Sequence, residues 1–311
     1  MLDTITSILS TTILYATPLL LAGLGGLYSE RSGVVNIGLE GLMTIGAFTA
    51  AQMTIVTGSA WLGLLSAIIA GILLALLHAV ATITFQADQV VTGVAINFLA
   101  VGLSVYLVKR IYEGAGQTPV VPVKLEPLYI PFLSDIPIIG PALFRAYPTT
   151  YIALLAVLFT SWLLYQTPFG LRLRAIGEHP HAAETAGVSV ISRRYVAVMI
   201  SGALAAIGGA GLSIAIGSEF SLVTVAGQGF IALAALIFGK WRPFGLLGAG
   251  LFFGFAVALA LIGQIFGLTA YVPSEVLNMI PYLFTILALA GFVGRAQSPA
   301  ALGKPYQKGT R

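Results

Sequence analysis

Residues 166–194 read QTPFGLRLRAIGEHPHAAETAGVSVISRR, and long apolar runs flank them on both sides. The stretch carries Arg172, Arg174, Glu178, His179, His181, Glu184, Arg193 and Arg194. A polar interruption of this kind, set between segments that lipid would dissolve, is a loop between membrane spans. Its alanine-rich centre predicts a short helix. Pro180 suits a first helical turn, where its missing N–H costs nothing, and Gly187 is a natural C-terminal stop. The segment His181–Ala186 gives fewer than two turns, too short to be stable alone in water. Such a helix needs packing from its own bundle and from something above it, and Ala182, Ala183 and Ala186 offer a small, close-packing face. Two readings stay open here: a docking element for a soluble cytosolic partner, and an ordinary amphipathic interfacial loop.

Working outward, the chain has 311 residues, 58% of them hydrophobic and 8% charged. A soluble domain averages about 25% charged residues because its surface faces water. Here the charges are too few to coat a globule, so lipid is the outer solvent. Apolar windows near the roughly 20 residues needed to cross a bilayer recur along the chain. The expected fold is all-α, a polytopic transmembrane bundle forming one domain. Without cysteine there is no disulfide framework and no thiolate metal site. The net charge of +4 does not point to nucleic acid, since the bases sit at span ends and form no stripe. The opening residues, MLDTITSILS, lack a basic region before the first apolar run, which predicts a retained first span rather than a cleaved signal.

About nine spans (eight to ten) are expected, at about 8–28, 36–56, 60–84, 89–111, 148–166, 195–217, 221–239, 244–266 and 275–294, with 221–239 either spanning or re-entrant. Placing 166–194 in the cytoplasm puts Arg31, Arg172, Arg174, Arg193, Arg194, Lys240, Arg242, Arg295, Lys304, Lys308 and Arg311 inside. Only Lys109, Arg110, Lys124 and Arg145 fall outside. Eleven against four predicts an exterior N-terminus and a cytoplasmic tail at 295–311. The exterior segment 112–147 carries Pro119, Pro122, Pro127, Pro131, Pro137 and Pro141, which make it a stiff cap. It is either a landing surface for an external solute receptor or a lid with aromatics at the headgroup level. Small residues four apart, at Gly63, Ala67 and Gly71, at Gly202, Ala206 and Ala210, and at Gly250 and Gly254, mark close helix packing.

Polar groups inside the spans are the candidate solute contacts, because ionisable groups there are costly and face the bundle interior or a water-filled path. Asn36 and Glu40 are four apart, hence expected on one helix face, among Gly33, Gly38 and Gly41. They either line a route for a polar solute or lock two helices together. Glu219 and Gln228 bracket a Gly-rich approach to the next apolar run, and Asn97, Gln52, Gln264 and Asn278 are further amides. Uncharged amides suit a polar, neutral solute, and equally suit helix–helix adhesion. His78 stands alone in its span; no HExxH, GxSxG or GxxxxGK[ST] pattern occurs, so neither an enzyme nor a nucleotide-binding chain is expected.

Three segments carry a family resemblance: ERSGVVNIGLEGLMTIGAF at 30–48, GLRLRAIGEHPHAAETAGVSV at 170–190 and GQGFIALAALIFGKWRPFG at 227–245. They resemble permease subunits of ABC importers of the ribose, branched-chain amino acid and nucleoside group, and look most like the nucleoside branch. The resemblance implies a bacterial-type inner-membrane permease that pairs with a second, homologous permease and sits on ATP-binding-cassette ATPases. It implies an external solute-binding lipoprotein and no cofactor on this chain, ATP being bound by the ATPase. The coupling helix would be formed by Gly177, Glu178, His181, Ala182, Ala183, Ala186 and Gly187. Sugars or branched-chain amino acids are the alternative cargo, and a stand-alone secondary transporter is the alternative class.

Overall fold

Backbone amides that lie in hydrocarbon must bond within their own segment, so the apolar runs close into helices. The computed structural model describes residues 2–265, 272–273, 276–277, 279–291 and 297–309. In chain order the helices are α1 (Leu2–Arg31), α2 (Leu39–Thr57), α3 (Ala60–Ala79), α4 (Gln89–Ile111), α5 (Ile139–Leu143) and α6 (Pro148–Gln166). Then come α7 (Pro168–Glu178), α8 (Pro180–Thr185), α9 (Val190–Gly211), α10 (Gln228–Phe238), α11 (Pro243–Ile265) and α12 (Ile280–Gly291). Single π-turns extend α3 over Val80–Thr84 and α9 over Leu212–Ile216. A two-residue hairpin pairs β1 (Leu128–Tyr129) with β2 (Arg145–Ala146) in the proline-rich segment 112–147.

Helix α9 is the central post: 72% of its apolar window is buried, against 22% for the peripheral α4. The small-residue faces explain how neighbours reach it. A Cβ on Gly71 would sit 2.4 Å from the Gly202 carbonyl, and one on Gly202 would sit 2.3 Å from the Gly71 carbonyl. The two backbones touch there, as expected when dispersion rather than water drives association. Tyr28 of α1 donates to Thr160 Oγ1 of α6 at 3.0 Å, and Ser213 donates to the Ala47 carbonyl at 2.8 Å. The proline-rich segment 112–147 is pinned to the far end of α9, with Val121 N–H donating to Ser218 O at 2.7 Å and Leu125 N–H to Ile214 O at 2.8 Å.

Among the described residues, seven helices are long and apolar enough to cross a membrane, against the nine expected. The run 221–239 is not a continuous helix. Residues 222–227 form turns, and α10 has only 11 residues, about 16 Å at 1.5 Å per residue. Of the expected span 275–294, α12 supplies 12 described residues. Asn278, Arg295 and Arg311 lie outside the described residues. The second span begins at Leu39 rather than at 36, so Asn36 precedes the helix and shares no helical face with Glu40. A further helix, α7, precedes the anticipated short α8.

Candidate functional site

Helix α1 ends at Arg31, and Gly33, with φ +89°, turns the chain into a non-helical passage at 34–38. Only a residue without Cβ takes that conformation cheaply. The passage exposes backbone groups that lipid would not tolerate, and buried side chains bond them one by one. Gln89 Oε1 accepts from Val35 N–H at 2.7 Å, and His78 Nε2 meets the Val35 carbonyl at 3.1 Å. Asn97 donates to the Ile37 carbonyl at 3.1 Å and accepts from Gly41 N–H at 2.7 Å. Asn36 accepts from Gly38 N–H at 3.1 Å and donates to Ser201 of α9 at 2.8 Å. Asn36, His78 and Gln89 are all buried. Their present role is to hold the break.

Glu40, on the first turn of α2, reaches across to the start of α10. Its two carboxylate oxygens accept from Gly227 N–H and Gly229 N–H, each at 2.7 Å. Those amides are free because α10 begins there, and the partial positive charge of a helix N-terminus favours a carboxylate. Asn97, bonded to the neighbouring Gly41, is eight residues into α4. At 1.5 Å per residue that places the start of α10 about 12 Å from the end of the bundle where α4 begins. Thus α10 is a half-helix that starts inside the bundle, and Ala226 (φ 48°) and Gly227 (φ 83°) make the sharp turn into it. Gln228 is its first residue, and its Oε1 is buried without a hydrogen-bond partner. A buried unbonded carbonyl oxygen in such a break is free to accept from a solute or water.

The structure therefore gathers Asn36, Glu40, Asn97 and Gln228 around one break. Glu219 does not join them. It sits half-buried at the opposite end, between Ser218 and Phe220, whose carbonyls accept from Val121 and Thr118 of the segment 112–147. Sequence reasoning missed Gln89 and Ser201 as partners, and no local signal marks them. It also missed Trp241, whose indole N–H donates to the buried Glu30 at 2.5 Å.

At the end carrying α7 and α8 the short helix forms as expected, with Pro180 in its first turn and Gly187 at φ +80°. Its alanines divide. Ala183 is buried against Ile176, Val190 and Tyr306, whereas Glu178, His181, Ala182, Ala186 and Gly187 are exposed. Gly177 is not on the outer face: a Cβ there would lie 2.3 Å from the Arg31 carbonyl, and its own carbonyl accepts from Ala301 N–H at 2.9 Å. Arg194, expected in the polar loop, is instead buried at 1% exposure. It donates to the Ser32 carbonyl at 3.1 Å and lies 5.8 Å from the Tyr306 ring. Burial, and after it the Glu184 carboxylate, push the Tyr306 phenol up to about 12. Helices α7 and α8 together are thereby tied to the end of α1, to α9 and to the tail, with an exposed outer face. Among the described residues no three His, Asp or Glu side chains are grouped to hold a metal ion.

Membrane-long helices around an internal helix break, with a tethered short helix at one end, form an architecture suited to passing a polar solute. The family described as "Branched-chain amino acid transport system / permease component" matches residues 8–291, and the chain belongs to it. It is a multi-pass membrane protein. It is 52% identical to the guanosine ABC transporter permease protein NupQ of Bacillus subtilis, over 98% of this chain and 97% of that one. It is 41% identical to the nucleoside ABC transporter permease protein NupC of Lactococcus lactis, over 98% of each chain. The putative glucose ABC transporter permease protein TsgC13 of Haloferax volcanii is 36% identical over 97% of each chain. No solved structure matches.

Proposed function

We propose that this chain is the membrane-spanning subunit of an ATP-driven importer of nucleosides. The cargo follows from the two most similar of these relatives, whose names specify guanosine and nucleosides and which match nearly the whole chain. The mechanism rests on one observation: the α7–α8 pair presents Glu178, His181, Ala182 and Ala186 outward while Gly177 and Ala183 seat it against the end of α1, α9 and the tail. A push on that surface from a cytosolic ATPase moves the residues that flank the break. The break then opens or closes a polar route past Glu40 and Gln228. Neutral amides along it suit a neutral, hydrogen-bonding solute.

In this reading the chain crosses nine times, the seventh crossing being residues 217–227 with α10, and the ninth including α12. Arg31, Arg172, Arg174, Lys240, Arg242 and Lys304 gather at the end bearing α8, which supports a cytoplasmic location for that end and an exterior N-terminus. A second permease faces this one. A solute-binding lipoprotein docks on the exterior cap, where Tyr129 and the 90%-exposed Phe132 stand out. A sugar cargo is the second reading, favoured by the 36% identity to a putative glucose permease. Uptake of labelled guanosine by cells expressing the transporter, competed by excess adenosine, glucose or leucine, separates them. Competition by adenosine alone is expected; competition by glucose alone overturns the nucleoside assignment.

A further inference from the structure

The end of the bundle that carries α8 also holds a cavity of about 730 Å³ that takes no part in the break or the coupling helix. Four cations stand around it: Arg31, Arg174, Lys240 and Arg242. No carboxylate lines it, and the ion pair among the described residues joins Arg145 to Asp135 in the exterior cap. Like charges held together without a counter-ion repel one another, so the arrangement is stabilised by an anion between them. Arg31 donates to the Trp241 carbonyl at 2.7 and 3.1 Å, which fixes its guanidinium at the rim. Arg174 lies 5.0 Å from the Tyr165 ring, and its Nε is buried with no partner. The first turn of α11, at Phe244 and Gly245, adds the positive end of a helix to the same wall.

A second feature decides the kind of anion. The cavity shares Phe238, Phe244 and Gly245 with an apolar groove of about 460 Å³ that continues along α11 past Gly248, Ala249 and Phe252. A free inorganic anion has no use for that groove. A lipid has: its phosphate is charged, its chains are apolar, and basic pockets between helices at a membrane face bind anionic headgroups. We propose that this cavity and groove are a built site for one anionic phospholipid, with its phosphate among the four cations and an acyl chain along α11. The proposal depends on neither the cargo nor the ATPase.

The test uses the full chain in nanodiscs of phosphatidylcholine doped with phosphatidylglycerol, released and weighed by native mass spectrometry. Phosphatidylglycerol is expected to stay bound at least about tenfold more than phosphatidylcholine. The variant K240Q/R242Q, in which neither replaced side chain makes a hydrogen bond or ion pair with a described residue, should lower that retention roughly 25-fold, about fivefold per charge. Ala249→Trp, filling the groove, should weaken long-chain phosphatidylglycerol and leave the dihexanoyl form unchanged. Equal retention of the two lipids overturns the proposal, as does retention indifferent to K240Q/R242Q. Displacement by millimolar inorganic phosphate would mean a simple anion site. Unchanged lipid binding with loss of a cytosolic protein partner would mean a protein-docking pocket, and either result rejects the lipid.

Discussion

Replacing Glu40 by Gln tests whether the carboxylate holds the half-helix in place. The carboxylate accepts two backbone N–H bonds at 2.7 Å, from Gly227 and Gly229, at the start of α10. Glutamine is nearly isosteric, but one of its two terminal atoms is a donor and faces a donor. One charge-assisted bond is lost, and the other becomes neutral. Bonds to charged groups contribute about 1.5–3 kcal/mol and neutral ones about 1, so the combined loss is about 2–5 kcal/mol. If the start of α10 opens locally, that loss speeds amide exchange there by about 30- to 4,000-fold, at 1.4 kcal/mol per factor of ten. Hydrogen–deuterium exchange with mass spectrometry on peptides covering Gly227–Ile231 reads it directly. Amides in α9 serve as the internal control, and the variant should remain in the membrane with reduced uptake. Unchanged exchange at 227–231 with abolished uptake would refute the reasoning: the carboxylate would then act on the solute, not on the helix.

Gly187→Leu should leave membrane insertion intact, because nothing lies within 4 Å of a Cβ there, while the φ of +80° strains the new residue by about 1–2 kcal/mol. Uptake should fall while nucleotide hydrolysis by the assembled transporter persists; full uptake would remove this glycine from the coupling role. Trp241→Phe deletes the indole donor to Glu30 and should cost about 1.5–3 kcal/mol, seen as a lowered thermal midpoint in detergent; an unmoved midpoint contradicts the bond's importance. The Tyr306 phenol, raised from 10.0 to about 12, binds its proton more tightly when the tail is docked. The stability it contributes is therefore complete below about pH 10 and is lost as the pH climbs to about 12. The difference in phenolate absorbance between the native chain and Tyr306→Phe should place its titration near 12; a midpoint near 10 would mean an undocked tail.

Much of the architecture was legible before any coordinates. Charge scarcity demands lipid as the solvent, and the glycine and alanine spacings marked α3 and α9 as close-packing helices, though not that Gly71 and Gly202 meet. Pro180 and Gly187 bounded α8 correctly because first-turn proline and left-handed glycine are local requirements. The errors were of another kind. Hydropathy adds up apolar residues without asking whether their amides are helical, so the run 221–239, expected to span or to re-enter, gave no sign that turns fill its first third. The four-residue spacing of Asn36 and Glu40 implies a shared face only inside a helix, and α2 starts between them. Arg194 looked like a loop charge because its docking carbonyl, at Ser32, is 162 residues away.

By itself the sequence determined what depends on composition and short-range geometry: a helical membrane protein, the ends of α3, α4 and α6, and the charged stretch at one end. Which polar group meets which was decided only by the tertiary structure. Glu40 finds its amides 187 and 189 residues further along, and Asn36 finds Ser201. These meetings depend on how far each helix slides and turns against α9. That is a property of the packed bundle, and no window of sequence contains it.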